Sequence, residues 1–109
     1  VMVVVGTDAP LSSRQLGRVI RRATVGLVRC GSYMGHGSGD IFLGFTTGLS
    51  MGAEGGKLPA CERVSEDSLD AFFRACAEAT EEAVLDSLVE AEAATGLDGT
   101  VYHCLTEFL

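Results

Sequence analysis

A long helical stretch over residues 66–95 constrains the fold of this 109-residue chain more than any other feature. Ser65 precedes Glu66 and Asp67, whose negative charges favour the N-terminal end of a helix, and Gly96 is a natural stop. A continuous helix of this length would be about 45 Å long. A compact chain of this size has a radius of gyration of only about 13 Å. We therefore expect the helix either to break or to pack against something outside this chain.

The apolar residues of this helix fall on two sides. Residues at helical spacing share one face, namely Leu69, Phe72, Phe73, Cys76, Thr80 and Ala83, whereas Leu85 and Val89 fall on the opposite side. A helix that is apolar nearly all round is packed on two sides. The second half of the helix is therefore predicted to contact another folded layer.

Residues 1–7, VMVVVGT, are predicted to form a strand that is apolar on both faces and central in a sheet. The run begins at the first residue, without a polar leader or a turn before it. Together with the two-sided helix, this start predicts that residues 1–109 are one part of a larger folded unit and not an independent domain. The segment IFLGFTTG is predicted to form a second strand, and residues 52–59, GAEGGKLP, a surface loop.

A second helix is predicted after Ser12 or Ser13, either of which would cap it. Its apolar face carries Leu16, Val19, Ile20, Ala23 and Leu27, and its other side carries Arg14, Arg18, Arg21 and Arg22. The arginines could form an anion-binding patch. A solvated face, or a contact with an acidic partner, is the preferred interpretation.

Composition and charge argue against several classes of protein. The formal net charge of −7 disfavours nucleic acid as a partner, and no apolar run is long enough to span a membrane. The cysteines Cys30, Cys61, Cys76 and Cys104 form no CxxC pair. We interpret them as reduced or buried thiols, which fits a cytoplasmic location. His36 and Asp40 are too few ligands for a metal site, and we expect no cofactor.

The segment GHGSGD is the one loop dense enough in small and polar groups to suggest a site. Its glycines let a backbone approach a ligand closely, and they leave Ser38 and Asp40 projecting just before a strand. The pattern matches neither a phosphate-binding loop nor a GxSxG nucleophile turn. His36 is either an acid–base group or, as we prefer, a turn residue with local hydrogen bonds.

Three segments in order, VVVGTDAPL, GHGSGDIFLGFTT and AEATEEAVLDSLVEAEAATG, resemble the small β chain of the β-peptidyl aminopeptidase and D-aminopeptidase (L-aminopeptidase/D-esterase) family. The resemblance implies a precursor that cuts itself into a large α chain and a small β chain. It implies an αββα sandwich, similar to N-terminal-nucleophile hydrolases but differently connected and completed by the separate α chain. The expected assembly is a hetero-oligomer of several αβ pairs.

The same resemblance implies roles for individual residues. The nucleophile is a Ser or Thr directly before Val1, Ser38 orients or relays its proton, and Asp40 orients Ser38 and stabilises the protonated amine. His36 and Gly37 are expected to bind substrate. If the strands at Val1 and Ile41 lie side by side, this loop ends next to the nucleophile. Glu81 and Glu82 also match the family and are interpreted as structural, with Glu81 able to bind an arginine.

The expected activity is hydrolysis of N-terminal residues from short peptides, amides or esters, including those with β-amino acids or D-residues. Two alternatives stay open at this point. One is an acyltransferase of the ornithine acetyltransferase type, which shares the architecture and the self-cleavage. The other is an inactive structural subunit.

Overall fold

The computed structural model describes residues 1–49 and 63–109. It mixes helices and strands, which confirms the predicted α/β class. In chain order the elements are β1 (Met2–Thr7), α1 (Ser13–Ile20), α2 (Ala23–Arg29), β2 (Ile41–Thr46), a 3₁₀ helix (Glu66–Ser68), α3 (Leu69–Val89), β3 (Ala94–Thr95), β4 (Val101–Tyr102) and a 3₁₀ helix (Leu105–Phe108). The predicted surface loop over residues 52–59 lies outside the described residues, as does Cys61.

The strands β1 and β2 pair in parallel, with Met2 opposite Ile41 and Thr7 opposite Thr46. This confirms the expected neighbouring strands. Val3, Val5 and Phe42 pack against the buried core, which lies between the sheet and the helices. The alternate residues Met2, Val4, Ile41, Leu43 and Phe45 are at least half exposed. The sheet is therefore apolar on both faces, as predicted, but the described part of the chain covers only one of them.

The helix predicted after Ser12 is two helices, because the chain turns at Arg21 and Arg22 between α1 and α2. Ser12 caps α1 in a capping box with Gln15, in which each side chain accepts a hydrogen bond from the other residue's backbone N–H. The predicted apolar face is retained across the turn, since Val19, Ala23 and Leu27 are all buried.

The arginine face of α1 is solvated and contacts an acidic residue of the same chain. Arg14 donates to Glu66, and Arg18 Nη1 lies 2.8 Å from Glu66 Oε2. Arg18 and Arg22 also stack over the ring of Phe73, with guanidinium carbons 5.3 and 3.9 Å from its centroid. These contacts tie α1 to the start of α3.

Of the two alternatives for residues 66–95, the structure shows the break, because α3 ends at Val89. Its last turn contains no basic residue, and Asp86 and Glu90 place negative charge at the negative end of the helix dipole. Ala94–Thr95 instead pairs as a strand with Val101–Tyr102. The chain continues from β4 into the final 3₁₀ helix.

The described part of the chain leaves apolar surface exposed and is less compact than its length allows, whereas its membership of a larger folded unit stays a prediction. Leu85, Leu88 and Val89, on the second side of α3, are between 44% and 49% exposed. The Cα radius of gyration is 18.3 Å, against about 13 Å for a compact chain of this size. Within residues 1–49 and 63–109, no helix has the length and apolarity needed to cross a membrane.

Candidate active site

The glycine-rich loop between α2 and β2 is anchored at its start by the end of α2. Gly31 adopts a left-handed conformation with φ of 95° and donates its N–H to Val28 O at 3.0 Å. The N–H of Ser32 donates to Leu27 O at 3.1 Å. This paired pattern is a Schellman motif, and glycine suits it because it has no Cβ to oppose the left-handed conformation.

The middle of the loop forms a tight turn. The carbonyl of Gly35 accepts the N–H of Ser38 at 2.8 Å, and His36 and Gly37 occupy the turn between them. A Cβ at Gly37 would meet no atom within 4 Å. The turn is therefore open to solvent on this side, and it directs the chain back towards the start of β2.

Ser38, Asp40 and the Val1 nitrogen meet where β1 and β2 both begin. Ser38 Oγ donates a hydrogen bond to Asp40 Oδ2, and the Val1 nitrogen donates to Asp40 Oδ1 at 3.1 Å. The N–H of Ile41 donates to Val1 O at 2.9 Å, which fixes Asp40 beside the first residue of β1. The Asp40 side chain is only 8% exposed.

These contacts hold Asp40 in its ionised form. The hydrogen bond from Ser38 is the main cause that lowers the pKa of the Asp40 carboxyl below its ordinary value. A carboxylate with both oxygens occupied can orient a serine hydroxyl and stabilise a positive charge on a neighbouring amine. The arrangement therefore combines a hydroxyl, an anion and a backbone nitrogen at one point.

The two histidines of the chain are not part of this group of contacts. His36 is exposed, and within the described part of the chain no hydrogen bond joins its ring to Ser38 or Asp40. His103 pairs with Glu107 at 2.7 Å in the last 3₁₀ helix. The described residues contain no group of three His, Cys, Asp or Glu side chains able to hold a metal ion.

Glu81 has the arginine contact that its position suggested. Arg29 Nη1 lies 3.0 Å from Glu81 Oε2 and links the end of α2 to α3. Arg29 carries no sequence signal for this contact, because the two residues are 52 positions apart. The Val1 nitrogen has no residue-type signal as a partner of Asp40 either, since it is a backbone group. Only the predicted pairing of the two strands indicates it.

A cavity of about 260 Å³ begins at Val1 and runs between β1 and α3. Its walls include Met2, Thr80, Ala83 and Ser87. Within the described residues β1 pairs on one edge only, with β2, so this space follows its other edge. Val1 belongs to the wall of this cavity, whereas Ser38 and Asp40 do not.

Comparison with known proteins gives consistent matches over most of the chain. The sequence profile of peptidase family S58 matches residues 1–102. The β-peptidyl aminopeptidase BapA of Sphingosinicella microcystinivorans is 40% identical over 100 residues, which cover 91% of this chain and 25% of that protein. This chain thus spans about a quarter of the length of the curated relatives that it matches.

Solved structures give the same result. The PH0078 protein of Pyrococcus horikoshii OT3 matches with a TM-score of 0.85 and 40% identity, over 93% of this chain and 29% of that one. The L-aminopeptidase D-Ala-esterase/amidase of Ochrobactrum anthropi matches with a TM-score of 0.85 and 34% identity, over 95% of this chain and 30% of that one. The latter is described as a prototype of the serine aminopeptidases and a variant of the Ntn hydrolase fold.

Proposed function

Because this chain belongs to peptidase family S58, we propose that it is the β chain of an aminopeptidase or amidase with an N-terminal nucleophile. The enzyme hydrolyses N-terminal residues from short peptides, amides or esters, and β-amino acid or D-residue substrates lie within its range. One observation carries the proposal: Asp40 bridges Ser38 and the Val1 nitrogen where β1 begins.

The nucleophile is a Ser or Thr joined directly to the Val1 nitrogen and freed by self-cleavage. Its carbonyl carbon is about 1.3 Å from the Val1 nitrogen, and that nitrogen lies 3.1 Å from Asp40 Oδ1. In such a chain the Val1 nitrogen is an amide and no longer carries a positive charge. The residue that precedes Val1 is therefore held covalently at the end of β1 where Ser38 and Asp40 meet.

The chemistry follows from the ordinary properties of these groups. A serine or threonine hydroxyl is a weak nucleophile until a base takes its proton. A free α-amine has a pKa of about 8 and can accept that proton near neutral pH. Ser38 orients or relays the proton, and the ionised Asp40 stabilises the resulting ammonium. Self-cleavage thus creates the base and exposes the nucleophile in one step.

A separate α chain, cut from the same precursor, completes the fold as an αββα sandwich. The half-exposed apolar face of β1 and β2 and the exposed second side of α3 support this part of the proposal. An apolar sheet face of this kind is normally buried against another layer. Several αβ pairs then associate into a hetero-oligomer.

The test compares Ser38→Ala with wild type in the full-length protein. We expect kcat for an aminoacyl p-nitroanilide to fall about 100-fold or more, because proton transfer to and from the nucleophile loses its partner. Ser13→Ala is the matched control, since Ser13 is an exposed serine on α1. Mass spectrometry of the mature small chain should show a Ser or Thr before Val1. A mature chain that starts at Val1, or full activity in Ser38→Ala, would contradict the proposal.

A further inference from the structure

Tyr33 lies in the loop that presents Ser38, and its side chain is 90% exposed. The ring rests over Gly35, where an added Cβ would come within 2.9 Å of the ring atom Cε2. The carbonyl of Gly35 in turn accepts the N–H of Ser38. The aromatic ring therefore lies next to Gly35, the first residue of the turn that carries the proposed catalytic serine.

The backbone on both sides holds Tyr33 in this place. Ser32 is bound to the end of α2, and its hydroxyl accepts the N–H of Met34 at 3.2 Å. Met34 has a φ of 51°, a left-handed conformation that residues with a side chain rarely adopt. Unfavourable backbone of this kind concentrates where a side chain must be presented in a fixed direction. Here the unfavourable conformation is that of Met34, which directly follows Tyr33, the one exposed aromatic residue of the loop.

We propose that Tyr33 is a specificity-determining residue, whose ring contacts an aromatic or bulky apolar group of the substrate beyond the bond being cleaved. This inference rests on the proposed function. A tyrosine offers a large, stiff apolar surface and loses little conformational freedom when it is covered. Aromatic groups add a preference for one another through offset or edge-to-face contact. The ring is exposed in the described part of the chain and borders the turn that presents Ser38.

The test uses the mature full-length enzyme and two substrates with the same aminoacyl residue, an anilide and a simple amide. In Tyr33→Ala, kcat/KM for the anilide should fall about three- to tenfold more than kcat/KM for the amide, mainly through KM. Tyr33→Phe keeps the ring and should retain the wild-type ratio. Ser38→Ala should lose both activities together, which separates a failure of the catalytic proposal from a failure of this one.

Two results would overturn the inference. An equal loss on both substrates in Tyr33→Ala would make Tyr33 a positioning residue for the loop. Failed self-cleavage or assembly in Tyr33→Ala, shared by the bulkier Tyr33→Leu, would mean that the ring packs against the rest of the protein. If the wild-type enzyme hydrolyses neither substrate, the proposed function fails and this inference fails with it.

Discussion

The helix α2 and the loop that follows it are held in place by different kinds of contact. Along its length α2 packs closely against α3, since a Cβ at Gly26 would come within 2.6 Å of the Ala77 carbonyl and 2.8 Å of the Glu81 nitrogen. Beyond its end, the loop to Asp40 is held by single hydrogen bonds and turn conformations, with Ser38 exposed to solvent. Close packing is sensitive to one added methyl group, whereas a hydrogen-bonded loop is sensitive to one lost acceptor. Stability and activity should therefore respond to different substitutions.

The largest effect should come from Asp40→Asn in the full-length enzyme. The amide keeps the size of the side chain but removes the negative charge, and it leaves one oxygen to accept from Ser38 or the Val1 nitrogen where the carboxylate accepts from both. We expect kcat for an aminoacyl p-nitroanilide to fall about 100-fold or more, with little change in Tm. Asp70→Asn, an exposed aspartate at the start of α3, is the matched control. A large drop in Tm with normal kcat would reverse the roles assigned to the two regions.

Gly26→Ala should have the next largest effect, and on stability instead of catalysis. The new methyl group would meet backbone atoms of α3, which cannot move as a side-chain tip can. We expect a loss of about 1–3 kcal/mol in the free energy of unfolding, measured by urea denaturation of the full-length protein.

Gly17→Ala is the control for this substitution, because a Cβ at Gly17 on α1 meets nothing within 4 Å. Replacing glycine by alanine within a helix should stabilise the protein there by about 0.5–1 kcal/mol. If Gly26→Ala is as harmless as Gly17→Ala, the close contact between α2 and α3 does not exist in solution.

The two regions also differ in how far the sequence predicts them. The glycines of GHGSGD, the following strand and the family resemblance bring Ser38 and Asp40 to the start of β1, because these signals are local or set by parallel pairing. The turn at Arg21 and Arg22 has no such signal, because one apolar stripe continues from α1 into α2. The contact between Gly26 and Ala77 is equally invisible, since it depends on how two distant helices cross.

A smaller effect concerns the pH dependence of stability near Asp40. Its pKa is lowered in the folded protein, chiefly by Ser38, so folding favours the ionised form. This contribution is complete above the ordinary value of 3.8 and is lost as the pH falls through the lower folded pKa. The stability difference between wild type and Asp40→Asn should be constant above this range and shrink below it. A difference that grows on acidification would have the wrong sign and would exclude the hydrogen bond from Ser38 as its source.

The smallest effect should come from Glu66→Gln, which tests a part of the molecule that belongs to neither region. Glu66 accepts hydrogen bonds from Arg14, Arg18 and Gln15, and the bond from Arg14 is the main cause of its lowered pKa. The charged side chains of Arg14, Arg18 and Glu66 are exposed, and solvent and salt screen such ion pairs, so the Tm should fall by only a few degrees at low salt. The loss should diminish at high salt, and Glu82→Gln, at an exposed position of α3, should show no comparable salt dependence. A loss of stability as large as that in Gly26→Ala, and unchanged by salt, would mean that the arginine face is part of the packed core. The contrast between a close-packed interface and hydrogen-bonded surroundings would then no longer hold.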